Sequence, residues 1–396
     1  MAKIRQFTPR KEKKEEIPFS DRIRRYRRGQ ALKLLIIIVL IAGVAGVVYY
    51  RWKNSSYSSY VELLSTPKVT ASGSTHENHN GNVLTYSKDG ISSMDAKGNI
   101  VWNETYQMQN PMVKVNGGIV AAGDYNGHII YIMDESGKMG EVDTNLPIRD
   151  MAVSKDGIVA VVLEDNELMR IHVYDPQGTE LVKSECRMQQ NGYPVAIALS
   201  DDGTVMGVSY LYVDSGTIKS TVAFYNFSGV GQSSIDRLVS SWEYPDTIIP
   251  YLGFFGKEEV FAVGNGRISF FGGEEKPVST ADRLLNEEIR SVYTGEDHIG
   301  LLYLDTTGAA LYRLDVYDSS GQLILSQSID MEFQDILIGK NDLLVYDETT
   351  CVMYGLNGTE KYRGTFGKNV NRIIPAGKSN KFLLITSNSI DTIELR

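Results

Sequence analysis

Two histidines stand three residues apart in the segment STHENHNG, where His76 and His79 flank Glu77. Imidazole and carboxylate groups are common ligands of zinc, and residues three apart share one side of a helix. This segment is rich in Asn and Gly, however, which predicts a loop, and no third ligand is indicated beside it. We therefore expect a loop here, with neither a metal nor any other cofactor bound.

Three short acidic segments are a second candidate for metal chemistry. They are SKDG (Ser154–Gly157), SDDG (Ser200–Gly203) and GEDH (Gly295–His298). None matches the D-x-[DN]-x-[DN]-G calcium loop, whereas Asp, Ser and Gly are the residues that a tight turn requires. The sequence favours turns over calcium sites. The other histidines are scattered and are predicted to be strand or loop residues: His128, His172 and His298.

Motifs that carry catalysis are missing from the sequence. It contains no G-x-S-x-G elbow, no phosphate-binding P-loop, no dinucleotide fingerprint and no cysteine pair with metal-ligand spacing. The two cysteines, Cys186 and Cys351, are too few for a disulfide scaffold, and we expect two free, mostly buried thiols. We predict that the chain is not an enzyme. A hydrolase or a quinoprotein-like oxidoreductase is the alternative.

One sequence motif recurs along the chain, and it is clearest in RIHVYDPQGTELVKSE (Arg170–Glu185) and RLDVYDSSGQLILSQS (Arg313–Ser328). Each copy is an alternating apolar strand followed by Asp or Asn, two residues and Gly. Asp favours the first position of a type I turn and Gly the fourth, so each copy predicts a hairpin turn. The turn residues are Asp95, Asp134, Asp175, Asn226 and Asp318, with Gly98, Gly137, Gly178, Gly229, Gly321 and Gly358.

A second recurring sequence motif precedes the first, and together the two motifs predict a four-stranded antiparallel unit. It is a short apolar strand, a polar turn and a fully apolar strand, as in MAVSKDGIVAVVL (Met151–Leu163). The combined unit recurs about every 43 residues, which is typical of a β-propeller blade. Immunoglobulin-like domains are longer and β-helix rungs are shorter. We predict an all-β fold, a single propeller of eight blades, with seven as the alternative.

The end of the sequence indicates how the propeller closes. SIDTIELR reads as a third strand of the last blade, with no fourth strand after it. The missing strand can come from VELLSTPKVT (Val61–Thr70), which would join the two ends of the domain in one sheet. A lone four-stranded sheet leaves its faces uncovered, so packing the blades in a closed circle removes that exposure.

An apolar run precedes the repeats. Residues 34–50 carry no charge, and with Leu32, the stem of Lys33 and Trp52 the run reaches the ~20 residues that cross a bilayer. The basic residues at one end are predicted to fix its orientation and to face lipid headgroups: Arg22, Arg24, Arg25, Arg27, Arg28 and Lys33. The aromatic residues at the other end suit a membrane interface: Tyr49, Tyr50 and Trp52.

These features predict a single-pass protein of the cell membrane. We expect a basic cytoplasmic tail at 1–33, a transmembrane helix at 34–52, a linker at 53–60 and an extracytoplasmic propeller at 61–396. A cleaved signal peptide and a buried core helix are the alternatives. The basic cluster either sets this topology alone or also binds anionic lipid or a cytoplasmic partner.

Charge divides the chain at the same place. Residues 1–33 carry 12 Lys and Arg against 4 acidic residues, whereas the rest carries 28 basic and 45 acidic residues. An acidic surface repels polyanions, which argues against nucleic acid and against an anionic wall polymer as direct partners. Oligomeric state and small-molecule ligands cannot be read from these numbers.

Two resemblances follow from these motifs. The segment GNIVWNETY (Gly98–Tyr106) resembles the Gly-x-x-x-Trp end of a blade in quinoprotein-dehydrogenase-like and WD40-like propellers, which include an eight-bladed exported lipoprotein of outer-membrane assembly. The whole layout resembles an uncharacterised family of membrane-anchored, propeller-like proteins of Gram-positive bacteria. Trp102 and Trp242 are the only tryptophans in the repeat region, so the tryptophan girdle of quinoproteins is largely missing.

The function predicted from these observations is that of a protein-interaction scaffold or assembly factor at the cell envelope. Propellers present a rigid rim of loops, and the partner would be another envelope protein. A sensor that reads a ligand in the channel and signals through the single span is the alternative.

Overall fold

The N-terminal unit is a long helix. The structure is a computed structural model that describes residues 19–53, 56–67, 73–166, 168–187 and 192–396. Helix α1 (Phe19–Lys53) begins before the predicted span and so includes part of the predicted tail. Within the described residues it is the one helix long and apolar enough to cross a membrane. Its most apolar stretch, Gln30–Val47, has a mean hydropathy of 2.4, and its side chains are exposed.

The second unit, Ser56–Arg396, is built from strands. Within the described residues, 32 strands form eight four-stranded antiparallel sheets, the blades. The chain first forms β1 (Tyr60–Pro67), which belongs to the last blade. Blade one contains β2 (Thr75–His79), β3 (Asn82–Tyr86), β4 (Gly90–Met94) and β5 (Ile100–Thr105). Blade two contains β6 (Pro111–Asn116), β7 (Ile119–Asp124), β8 (Ile129–Asp134) and β9 (Gly137–Asp143).

The next three blades repeat this order. Blade three contains β10 (Ile148–Val153), β11 (Val159–Asp165), β12 (Leu168–Tyr174) and β13 (Glu180–Arg187). Blade four contains β14 (Tyr193–Leu199), β15 (Val205–Asp214), β16 (Thr217–Asn226) and β17 (Leu238–Pro245). Blade five contains β18 (Tyr251–Phe255), β19 (Glu259–Gly264), β20 (Arg267–Gly272) and β21 (Val278–Leu284). Between β16 and β17 lie a short helix, α2 (Gly229–Gln232), and a 3-10 turn (Ile235–Arg237).

The last three blades complete the fold. Blade six contains β22 (Ser291–Thr294), β23 (His298–Leu304), β24 (Tyr312–Asp318) and β25 (Leu323–Ile329). Blade seven contains β26 (Asp335–Ile338), β27 (Asp342–Tyr346), β28 (Thr350–Gly355) and β29 (Glu360–Thr365). Blade eight contains β30 (Arg372–Ala376), β31 (Lys378–Ile385) and β32 (Ser389–Leu395), and β1 is its fourth strand.

Strand β1 closes the propeller. It pairs antiparallel with β32, from Tyr60 opposite Leu395 to Pro67 opposite Ser389. The predictions of eight blades and of an N-terminal closing strand are confirmed, and the alternative of seven blades is wrong. The end of the predicted closing segment, residues 68–70, lies outside the described residues. Residues 57–59 also bond to the domain, since the Tyr57 N–H donates to the Lys361 carbonyl over 2.6 Å.

Apolar side chains between neighbouring blades form the core. Each of the eight junctions has its own cluster of buried residues, including the junction of blade eight with blade one. At that junction Val83 of blade one packs with Leu383 and Ile385 of blade eight, and all three are fully buried. Burying such a side chain stabilises the fold by about 1.5–3 kcal/mol. Each blade therefore depends on both of its neighbours.

The loops lie on two opposite faces. The connection face carries the links between blades and the loops between second and third strands, which bond to each other, as from the Asp246 N–H to the Ile218 carbonyl over 2.9 Å. The hairpin face carries the loops between first and second strands and between third and fourth strands. Here the Phe227 N–H donates to the Thr204 carbonyl over 2.9 Å.

Candidate functional site

A cavity of about 800 Å³ lies in the central channel. It extends from first-to-second-strand loops of the hairpin face to Arg372 at the start of β30, and it is lined by residues of blades one to six and eight. Its charged lining residues are Glu77, Lys114, Lys155, Asp201, Glu296 and Arg372. First strands form the inner edge of every blade, so side chains far apart in the sequence meet here.

Charges of opposite sign alternate across five consecutive blades along this channel. Arg372 of blade eight pairs with Asp335 of blade seven, with 2.5 Å between Nη1 and Oδ2. Lys114 of blade two pairs with Asp150 of blade three, with 3.2 Å between Nζ and Oδ1. Glu77 of blade one lies in the field of both cations, Arg372 and Lys114. Opposite charges on neighbouring inner strands therefore attract each other across these five blades.

Glu77 is a half-buried acid of the cavity lining. Burial raises the pKa of its carboxyl above the ordinary value. The Tyr86 hydroxyl donates to Glu77 Oε1 over 3.0 Å, and this bond together with the charges of Arg372 and Lys114 opposes the rise. A half-buried carboxyl of this kind can exchange a proton or accept a hydrogen bond from a ligand.

The loops at the channel mouth are tied to one another. The Lys155 ammonium contacts Asp201 Oδ2 over 2.8 Å, and the backbone of Lys155 donates to the Asp201 carbonyl over 2.8 Å. The Asp201 N–H donates in turn to the Gly256 carbonyl over 3.0 Å. Blades three, four and five therefore present a fixed rim rather than independent loops.

Part of the cavity lining is apolar. Blades four and five contribute Ile197, Leu199, Leu252, Phe254 and Phe261, none of which carries a polar side-chain atom. The cavity therefore offers both charged and apolar side chains, which suits a ligand with both characters. The described residues that line it include no His, Cys, Ser or Tyr. What the lining offers chemically is charge and hydrogen bonding.

Comparison with known proteins places the chain in a family. A model described as "Family of unknown function (DUF5711)" matches residues 53–395, which include nearly all of the propeller. The chain belongs to this family. No protein with a curated description matches the sequence.

Solved structures resemble this DUF5711 chain in fold. Apo AztD from Citrobacter koseri aligns with a TM-score of 0.51 at 12% identity, covering 75% of this chain and 86% of AztD. BamB from Moraxella catarrhalis aligns with a TM-score of 0.49 at 10% identity, covering 85% of this chain and all of BamB. At these identities the AztD match shows a shared propeller architecture and nothing about function.

The histidine segment of the DUF5711 chain is a strand, so the prediction of a loop there is wrong. His76 and His79 lie on β2, where pairing with β3 overrides the local preference for a loop. His79 is fully buried; Nδ1 lies 3.0 Å from Ser93 Oγ, and Nε2 lies 3.0 Å from the Gly118 carbonyl of blade two. Both ring nitrogens are thus engaged, Nδ1 within blade one and Nε2 in the contact of blade one with blade two.

The acidic segments form turns on the hairpin face. Ser154 and Ser200 are buried, and each hydroxyl accepts a bond from the backbone N–H that ends its turn, at Ile158 and Val205. Asp202 is bonded to the Ser200 hydroxyl, to the Thr204 N–H and to Lys257. Within the described part of the chain, no group of three or more His, Cys, Asp or Glu side chains is arranged to hold a metal ion.

Most of the repeated turns share one geometry. In blade three the Gly178 N–H donates to the Asp175 carbonyl over 3.0 Å, and Asp175 Oδ1 accepts from the N–H groups of Gln177 and Thr179. The turns that end at Gly98, Gly321 and Gly358 have the same backbone bond and the same positive φ.

Two copies differ from the predicted turn. At Asp134 the pairing runs on to Gly137, which is itself the first residue of β9. At Asn226 the side chain accepts from the Ser228 N–H, and Gly229 begins helix α2 instead of ending a hairpin turn. Inserted residues between β16 and β17 account for the second difference.

The predicted membrane residues lie on helix α1. Among the basic residues, Arg27 and Lys33 are exposed. The side chains of the others lie outside the described set: Arg22, Arg24, Arg25, Arg28, Tyr49, Tyr50 and Trp52. Of the two cysteines, Cys351 is a free, buried thiol whose pKa burial raises to about 12, and the side chain of Cys186 is likewise outside the described set.

Sequence reasoning named the segments that contain Glu77, Lys155, Asp201 and Glu296, but it did not show that these residues meet in one channel. Lys114, Asp150 and Arg372 belong to no motif, and each comes from a different blade. A usable signal does exist, since each is a charged residue inside or at the start of a short inner strand, such as Lys114 in PMVKVN.

Proposed function

We propose that this chain is a membrane-tethered, extracytoplasmic propeller that acts as a protein-interaction scaffold or assembly factor at the cell envelope. The observation that carries the proposal is the attachment of one exposed, strongly apolar helix, Gln30–Val47, to a closed eight-bladed propeller. The basic residues before that helix favour a cytoplasmic N-terminus by the positive-inside rule. The propeller then lies on the opposite side of the membrane, where its partner would be another envelope protein.

The propeller itself supports a binding role. Its loops are fixed by hydrogen bonds between neighbouring blades, as between Lys155, Asp201 and Gly256. Rigid loops lose little conformational entropy when a partner binds, which favours affinity. The two loop faces present these bonded loops to a folded partner, whereas the channel cavity of about 800 Å³ suits a smaller ligand.

The test is photocrosslinking of the full chain in its own membranes. A photoreactive phenylalanine analogue replaces either Leu284 on the connection face or Ile235 on the hairpin face; both side chains are exposed, at 71% and 87%. We expect a protein adduct from at least one position, and no adduct from the matched Leu284→Phe and Ile235→Phe controls. If neither position yields a protein adduct, the scaffold proposal fails.

The channel cavity favours a second candidate, a sensor that binds a small ligand and signals through the span. Its charged and apolar lining residues suit an amphiphilic molecule. The sensor proposal predicts no protein adduct from either face in the same experiment, so the two functions give opposite results.

A further inference from the structure

Exposed apolar side chains of three consecutive blades lie on the connection face. They belong to blades four, five and six and form what we call the connection-face patch: Val213, Ile218, Tyr251, Leu284, Leu304 and Leu311. Val213 and Leu284 are the most exposed, at 68% and 71%. Contiguous apolar surface on a soluble domain marks an interaction site, whereas scattered single residues do not.

Hydrogen bonds within each blade fix the loops that carry this patch. The Asp246 N–H donates to the Ile218 carbonyl within blade four, and the Leu285 N–H donates to the Gly266 carbonyl within blade five. In blade six the Leu311 N–H donates to the Ile329 carbonyl. Hairpin β15–β16, with ten residues in each strand, carries Val213 and Ile218 near its tip. Each blade therefore presents its part of the patch on bonded loops.

A cavity of about 320 Å³, lined by Tyr251 of the patch, opens between blades five and six. Its apolar wall includes Pro250, Tyr251, Val263, Ile289 and Val292. This volume exceeds the ~150 Å³ that holds a benzene ring in an apolar cavity. One large side chain of a partner can enter it, as anchor residues do at the centres of protein interfaces.

The charges around the patch are unbalanced. Four basic side chains near the patch are in ion pairs: Lys219 with Asp214, Arg267 with Asp282, Arg290 with Glu288, and Arg313 with Glu287. A fifth, Arg283, donates to the Gly321 carbonyl over 2.7 Å. Four acidic side chains of the same loops have no ion pair within 4.0 Å among the described residues: Asp246, Asp305, Asp330 and Glu332. We call these four side chains the acidic rim, and a partner's cations can form ion pairs with them.

We propose, on the basis of the scaffold function above, that the connection-face patch binds a segment of a second protein that carries a large apolar side chain between lysines or arginines. The apolar residue would fill the cavity beside Tyr251, and the cations would lie against the acidic rim. A second copy of this patch would bring like charges together, and an anionic membrane surface would be repelled in the same way.

Binding of defined peptides tests the partner's chemistry. The full chain in neutral phosphatidylcholine nanodiscs is titrated with two peptides that share a Leu-Phe centre and differ in having Lys or Glu on both sides. We expect the Lys peptide to bind at least tenfold more tightly, and 0.5 M salt to remove most of that difference. The double variant Tyr251→Ser, Leu284→Ser should lose at least tenfold, and Ile235→Ser on the hairpin face should bind normally.

The photocrosslinking experiment separates this inference from the scaffold function. An adduct from position 284 that maps to a segment with an apolar residue between Lys or Arg supports both. Adducts from position 235 alone leave the scaffold function standing and overturn the patch. Equal binding of the two peptides, unchanged binding by the double variant, or a 284 adduct with a second copy or with lipid also overturns it.

Discussion

Gly178, which ends the repeated turn of blade three, is required for two separate reasons. Its φ of +88° lies in the left-handed region, which disfavours any residue with a Cβ. A Cβ at this position would lie 2.4 Å from the Glu141 carbonyl oxygen of the preceding blade. The Asp-x-x-Gly motif at this position therefore forms the hairpin and also lets blades two and three pack closely.

Replacing Gly178 and a matched glycine by alanine separates the effect of the left-handed backbone from that of the contact between blades. Gly216 has a similar φ of +83°, but nothing lies within 4 Å of where its Cβ would be. We expect Gly216→Ala to lower the free energy of unfolding by about 1–2 kcal/mol, the cost of a left-handed residue, and Gly178→Ala to lower it further. Chemical denaturation of both variants measures the difference. Equal losses would show that the contact between blades is relaxed without cost.

Among the strands, β1 and β32 are joined by a buried ionic group as well as by their backbone bonds. Asp391 on β32 is fully buried and accepts bonds from Ser65 of β1 and from Ser389. Lys368, in the loop before β30, contacts Asp391 over 2.8 Å and Glu62 of β1 over 2.9 Å. Burial acts to raise the pKa of Asp391, but the bonds from Lys368, Ser65 and Ser389 outweigh it and hold the pKa below its ordinary value of 3.8.

This carboxylate makes closure sensitive to acid. Because the folded pKa is depressed, the stabilisation is complete above the unfolded value and disappears as the pH falls through the folded one. We expect the free energy of unfolding to fall as the pH drops below about 4, and Asp391→Asn to lose about 1–3 kcal/mol at pH 7 and to depend less on pH below that point. Asp214→Asn, which breaks an exposed pair, is the control. If the free energy of unfolding of both variants depends on pH as that of the wild type does, Asp391 is not the group that makes ring closure sensitive to acid.

The whole propeller depends on a strand that precedes the repeats. Without β1, blade eight keeps three strands, and the outer edge of β32 loses its backbone partners. Since every junction between blades contributes buried apolar surface, an opened ring also weakens the junction of blades eight and one. Closure is therefore a property of the domain rather than of one sheet.

Two chains that differ only at this strand test the claim. One begins at Ser56 and the other at Gly73, so both contain the strands from β2 to β32. We expect the first to unfold cooperatively, and the second to have a midpoint at least ~10 °C lower, since several ladder bonds of about 1 kcal/mol each are lost. Differential scanning calorimetry gives both midpoints. The same midpoint in the two chains would mean that the ring is stable without its closing strand.

The sequence by itself determined the repeated architecture. Alternating apolar residues, turn residues such as Asp175 and Gly178, and the unpaired last strand act over short distances, so they predicted eight blades and their closure. The apolar run near the N-terminus was readable for the same reason. Local preference failed where pairing opposed it, as at His76 and His79, which lie on a strand because β3 supplies their backbone partners.

Only the closed ring decided which residues meet. Glu77 and Arg372 are separated by nearly 300 residues, yet they share the channel because blade eight packs on blade one. The connection-face patch likewise combines side chains of three blades, and no short segment records their proximity. The physical reason is that hairpins form from neighbouring residues, whereas surfaces form where distant hairpins pack. Packing depends on the number of blades and on the angle between them.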